Sequence, residues 1–90
     1  MSSQLTGRVH VLKTVQPYFN EVWWENKTFE VRKNDRDFKE GDVLILEEYK
    51  VEEQKFTGRK IQVYVSYILK NFPAVDKDYV VLGIKIMEKQ

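Results

Sequence analysis

The sequence predicts an α+β domain: a mostly antiparallel sheet of about five strands, curled into a small barrel, with one main helix. Three observations carry this reading. Five stretches show strand-type alternation or short apolar runs, one stretch after Pro17 shows helical spacing of aromatics, and the connections between them are short and rich in turn residues. With a single helix available to shield sheet edges, curling the sheet is the economical way to protect them.

The first strand is Arg8 to Lys13, where Val9 and Val11 alternate with Arg8 and His10, which predicts that the valines are the half-buried face. Pro17 suits a first helical turn, and Tyr18, Phe19, Val22 and Trp23 recur at helical spacing up to Trp24. Neighbours on a helix differ by about 100°, so Trp23 and Trp24 cannot both face inward. Asn26 is the expected left-handed end of the helix. A second strand follows at Thr28 to Arg32, with Phe29 and Val31 on a face expected to join the core, and Thr28, Glu30 and Arg32 on a face directed at solvent or a cleft.

Asn34 to Asp37 and Gly41-Asp42 read as turns. Val43 to Leu46, continuing to Tyr49, is a buried third strand. Lys50 to Gly58 has turn polarity, and Ile61 to Leu69 alternates as a fourth strand that forms a long hairpin with the third. Asn71 to Asp78 breaks the pattern before the last strand, Tyr79 to Ile86. Residues 1–7 are expected to be a flexible N-terminal segment and residues 8–88 a single domain. The 90-residue length leaves no room for a second one.

Composition excludes several classes of function. The chain has no cysteine, hence no disulfide framework, thiolate zinc site or cysteine nucleophile. His10 is the only histidine, and a lone histidine is an improbable basis for a metal centre, so neither metal nor cofactor is expected. No stretch approaches the roughly 20 apolar residues that span a bilayer, and no secretory leader is evident, which predicts a cytoplasmic protein without membrane association. Fifteen Lys and Arg against fourteen Asp and Glu give a net charge of +1, so recognition of a polyanion has to be local.

The densest functional cluster is Lys27, Glu30, Arg32, Lys33, Asn34, Asp35, Arg36 and Asp37. Its mixed signs suit a ligand that carries both phosphate and hydrogen-bonding edges, because arginine offers a planar donor fork and carboxylates and Asn read polar groups. The bland alternative is an exposed turn whose charges pair at little gain, or a salt-bridge ladder along the strand.

The run Lys27-Thr28-Phe29-Glu30-Val31-Arg32 resembles the Gly-x-Lys-x-x-Glu-x-Arg hallmark of ASCH domains, members of the PUA-like superfamily. Further residues, among them His10, Leu12-Lys13, Tyr18-Phe19, Gly41-Asp42, Glu48-Tyr49, Phe56 to Arg59, Tyr67 to Leu69 and Tyr79 to Ile84, resemble the small bacterial and phage family called domain of unknown function 3850. Glu25 stands where the hallmark has Gly, a residue that would permit positive φ and close approach of a ligand. The resemblance implies a PUA-like barrel with a cleft between helix and sheet that binds RNA or a nucleotide-like ligand. Lys27, Glu30 and Arg32 carry over as the motif, and Lys13, Asn34 and Arg36 join them as neighbours. Lys27, Arg32 and Arg36 would meet phosphates or base acceptors, Glu30 a base amino group, and Tyr18 or Tyr67 would stack on bases. Two other readings stand beside this one. Some ASCH proteins are amidohydrolases acting on acylated cytidine, and here Lys27 and Glu30 would be the catalytic pair. Alternatively, an exposed Trp and an edge strand would serve an unknown protein partner.

Overall fold

The computed structural model describes residues 4–90. Its elements run β1 (Val9–Thr14), α1 (Tyr18–Trp23), β2 (Phe29–Lys33), β3 (Val43–Lys50), β4 (Lys55–Leu69) and β5 (Tyr79–Lys89). Five strands form one curled sheet in the order β1-β3-β4-β5-β2, a half-barrel whose edge strands are β1 and β2. β3–β4, β4–β5 and β5–β2 are antiparallel, whereas β1 lies parallel to β3. That parallel pair follows from the route of the chain, which leaves β1, forms α1, crosses to the far edge as β2 and returns beside β1.

The protein is mostly β rather than α+β. Its helix spans six residues, because the chain reverses immediately beyond it. The reversal is a Schellman-type cap: Glu25 N–H donates to the carbonyl of Val22, Asn26 N–H to that of Glu21, and Glu25 takes φ 62°. Glu25, not Asn26, is therefore the left-handed residue.

The core is continuous. Leu12 from β1, Phe19 and Val22 from α1, Leu44 and Leu46 from β3, Ile61, Val63 and Val65 from β4, and Val80, Leu82 and Ile84 from β5 pack together, with Phe38 from the loop before β3. In the interior strands the expected alternation holds except at Tyr67, which the pattern puts on the face of Ile61, Val63 and Val65: a register shift between Val65 and Tyr67 turns it outward and Ile68 inward. In the two edge strands it is reversed: Val9 and Val11 of β1 and Phe29 and Val31 of β2 are exposed, while Leu12 and Thr14, and Glu30 on β2, point inward. Apolar alternation alone does not say which face is buried when the inner face also carries a polar site.

β4 begins at Lys55, before the predicted Ile61, so that only Val51 to Gln54 form the turn. Tyr49 pairs with Phe56, their rings edge-to-face at 4.9 Å, and this contact extends the hairpin through polar sequence. Between the Glu47–Lys60 and Tyr49–Phe56 pairs the register slips, leaving a bulge in β4 where Gly58 sits at φ 95°. β5 likewise runs past Ile86 to Lys89. Part of the N-terminal segment, residues 1–3, lies outside the described residues. Within the remainder, Thr6 donates its backbone N–H to the Gly41 carbonyl and its hydroxyl to Asp42 at 2.5 Å. No helix among the described residues is long and apolar enough to cross a membrane.

Candidate functional site

The half-barrel leaves a seam where β1 and β2 face each other without backbone pairing. Arginine side chains bridge it instead. Arg32 of β2 donates from Nη1 to the Lys13 carbonyl and from Nη2 to Thr14 Oγ1, both at 3.1 Å, and Arg36 donates from Nη1 to the Val11 carbonyl at 3.0 Å. Arg8 adds bonds to the carbonyls of Arg36 and Asp37 at 2.8 and 2.9 Å. Guanidinium groups suit this task because one planar fork satisfies several acceptors at once.

At the inner side of the seam lies Glu30, which is 3% exposed. Oε1 accepts from Arg32 Nε at 3.1 Å and Nη2 at 2.9 Å, and Oε2 accepts from Lys27 Nζ. Lys27 also donates to its neighbour strand's first carbonyl, Phe29 O, at 2.6 Å. A buried carboxylate is tolerable only when paired and hydrogen-bonded. Here it holds two cations at fixed positions.

Between β1, α1 and β2 this arrangement opens into a cleft of about 690 Å³, bordered by Lys13, Thr14, Pro17, Tyr18, Glu21, Lys27, Phe29, Glu30 and Arg32 among others. That size is within the range of small-ligand sites. The structure thus brings together Lys13, Tyr18, Lys27, Glu30 and Arg32 from the predicted set. Lys13 Nζ stands 4.1 Å from the Tyr49 ring, and Lys27 Nζ 5.7 Å from that of Tyr18. Three predicted residues lie off the cleft wall. Arg36 braces the seam, Asn34 accepts the Phe38 N–H through Oδ1 at 3.1 Å within the turn, and Tyr67 stands on the outer face of β4, opposite Gly83 of β5.

Thr14 was not anticipated as a cleft residue. Its hydroxyl donates to the Leu12 carbonyl at 3.3 Å while accepting from Arg32, and the side chain is buried. The available signal was the parity of β1, which puts Leu12 and Thr14 on one face.

Two more buried carboxylates brace the ends of the sheet. Burial alone would raise the Asp42 carboxyl, but hydrogen bonds from Thr6, from His10 at 2.8 Å and from the Lys39 N–H at 3.0 Å, with the Arg8 charge nearby, hold it below its ordinary value. Glu48 behaves alike: desolvation is outweighed by bonds from Thr57 at 2.7 Å and Gln16 at 2.5 Å and by the charges of Arg59 and Lys50. His10 is accounted for by Asp42 and by an edge-to-face contact with Phe38 at 5.0 Å. Among the described residues no three His, Asp or Glu side chains converge as a metal site would require.

Fold and site define a small, mostly β protein with a cleft lined by charges of both signs at the open seam of a half-barrel. Residues 9–84 match the family described as Domain of unknown function (DUF3850), and the chain belongs to that family. It is similar to a protein of Escherichia phage P2 described as an uncharacterized 12.9 kDa protein in the GpA 3′ region. The two are 36% identical over 62 residues, which are 69% of this chain and 55% of the phage protein. The match therefore spans about half the length of that relative.

Proposed function

We propose that the seam cleft binds RNA or a nucleotide-like ligand, within an opened barrel of the PUA-like, ASCH type. One observation carries this reading: three cationic side chains of the cleft, Lys13, Lys27 and Arg32, keep free hydrogen-bond donors, beside one acid at the border, Glu21. Arg32 has five N–H groups, four of them engaged within the protein, which leaves one Nη1 N–H. Lys27 spends two of its three donors on Glu30 and the Phe29 carbonyl. Among the described residues Lys13 has no side-chain hydrogen-bond partner, and it holds its ammonium against the Tyr49 ring. A ligand rich in acceptors, such as a phosphate or a base carbonyl, complements that set, and the exposed Tyr18 ring at the rim offers a stacking surface. In this reading Glu30 positions the cations, and its own contact with a base amino group is secondary.

The hydrolase reading draws on a different observation, the meeting of a hydroxyl (Thr14), an amine (Lys27) and a carboxylate (Glu30) around one cleft. Binding is the better supported of the two. The Thr14 hydroxyl is held by Arg32 and a carbonyl with no base beside it, and Lys27 is engaged with a carboxylate.

The test is an NMR titration of labelled protein with adenosine and cytidine 5′-monophosphates, short RNAs and acetylcytidine. Shifts at Lys13, Tyr18, Lys27 and Arg32, weakened about tenfold or more by Arg32→Lys, are expected, because an ammonium cannot replace the guanidinium fork. Absence of shifts at these residues for every ligand overturns the reading. Conversion of acetylcytidine in the same tubes would replace it with the hydrolase.

A further inference from the structure

On the outer face of the sheet the register aligns Phe29 of β2, Gly83 of β5 and Tyr67 of β4 in one row. Directly paired residues share a face, and the inward-pointing neighbours Glu30, Leu82 and Ile68 form the next row, so both rings stand outward. Phe29 is 44% exposed and Tyr67 61%. Between them the floor is a bare glycine. Strands two apart are separated by about 9.6 Å, and a flat ring held between two others needs about 7–8 Å at van der Waals contact. The strand spacing across the row therefore leaves room for one planar ring between the two aromatic side chains.

Two lysines lie near this row. Lys27 Nζ lies 5.1 Å from the centre of the Phe29 ring, and Lys85, two residues beyond Gly83 on the same face of β5, is exposed. Lys27 and Lys85 also border a smaller depression of about 280 Å³, shared with Glu25, Thr28 and Ile86. Phe29 and Lys27 border the seam cleft as well, so the row adjoins the cleft at the edge strand β2. Aromatic walls interleaved with cations are the surface that binds unpaired bases of a single strand.

We propose that Phe29, Gly83 and Tyr67 form a stacking slot for one unpaired nucleobase of a single-stranded RNA whose neighbouring nucleotide occupies the seam cleft. This inference rests on the cleft reading and extends it: the ligand is an oligonucleotide rather than a free nucleotide, with the phosphate between the two bases near Lys27 and Lys85. A structural role for the rings is the competing account, since aromatics often cover a glycine in a strand.

The experiment compares fluorescein-labelled hexa-adenylate, followed by anisotropy, with adenosine 5′-monophosphate, followed by NMR shifts, on the wild type, Tyr67→Ala and Gly83→Val. Gly83 has an ordinary strand backbone; an added Cβ would lie 3.3 Å from the rotatable Ser66 hydroxyl and 3.6 Å from the Cβ and carbonyl oxygen of Tyr67, so the valine side chain takes up the floor beside Tyr67 once the hydroxyl turns away. Melting temperatures report whether each variant is folded. The expected result is hexamer affinity about tenfold lower in both variants, with monophosphate shifts at Lys27 and Arg32 unchanged. If the monophosphate binds the cleft but the hexamer binds no tighter, or both folded variants bind the hexamer as the wild type does, the slot is overturned and the cleft reading stands. If the monophosphate leaves Lys27 and Arg32 unshifted and the hexamer does not bind, both fall.

Discussion

Glu30 is a carboxylate whose two oxygens are divided between an arginine and a lysine, inside a β strand that otherwise reads as ordinary edge sequence. Removing its charge leaves Lys27 and Arg32 without their shared anion in a partly desolvated place, the costly half of breaking a buried ion pair. Glu30→Gln should lower stability by about 2–4 kcal/mol, measured by urea unfolding, with the larger part arising from the cations left behind. Asp42 and Glu48 give the molecule its acid sensitivity. Both carboxyls titrate below their ordinary values of 3.8 and 4.5, so in that range the unfolded chain binds more protons than the folded one. Their stabilising contribution is complete above the ordinary carboxylate range and is lost as pH falls through the depressed folded values. Asp42→Asn should flatten the rise of unfolding free energy with pH below about pH 4, as seen in urea titrations at stepped pH. An unchanged slope would show that Asp42 does not carry this linkage.

Among the elements, α1 is the one that the neighbouring turn cuts short. Glu25 holds left-handed backbone that costs a side-chain-bearing residue about 1 kcal/mol relative to glycine. Glu25→Gly should therefore raise the thermal midpoint, by the equivalent of about 0.5–1 kcal/mol, without moving the cleft. A fall in midpoint would mean that Glu25 contributes through its side chain. The same position shows how the motif is read in physical terms: the geometry that glycine would favour is present without glycine, because three backbone bonds at the helix end impose it. Strand positions were legible from period-two patterns, and β3 and the Ile61–Leu69 half of β4 lie where the pattern puts them. The buried faces of β1 and β2 were not legible, since a strand edged by a polar cleft inverts the rule that valine points inward. Lys55 to Lys60 escaped for another reason: their strand is held by the Tyr49–Phe56 contact and a glycine bulge, and neither leaves a periodic trace. In the site, Lys27, Glu30 and Arg32 stand out as a spaced motif, but Thr14 joins them only through the crossing of β1 past β2.

Over the whole molecule, a net charge of +1 coexists with a cleft that gathers Lys13, Lys27 and Arg32 beside the acids Glu21 and Glu30. The positive charges that face the proposed ligand path are Lys13, Lys27, Arg32 and Lys85; Asp42, Glu30 and Glu48 are spent on internal pairing, while Glu21 and Glu25 stand at the borders of the cleft and the smaller depression. Such a protein has no long-range attraction to nucleic acid and must bind through few phosphates. For a single strand, the logarithm of affinity falls with the logarithm of salt by about 0.7 per phosphate neutralised, so two or three contacts imply a slope of about −1.4 to −2. Hexa-adenylate affinity measured across a series of potassium chloride concentrations should give that shallow slope, and Lys85→Gln should reduce it by about 0.7. A slope steeper than about −4 would require more phosphates than the cleft and slot together can meet, and would point to diffuse coating of the surface instead. A slope near zero with affinity retained would assign the binding to stacking and hydrogen bonds alone, leaving Lys27 and Arg32 as braces of the seam.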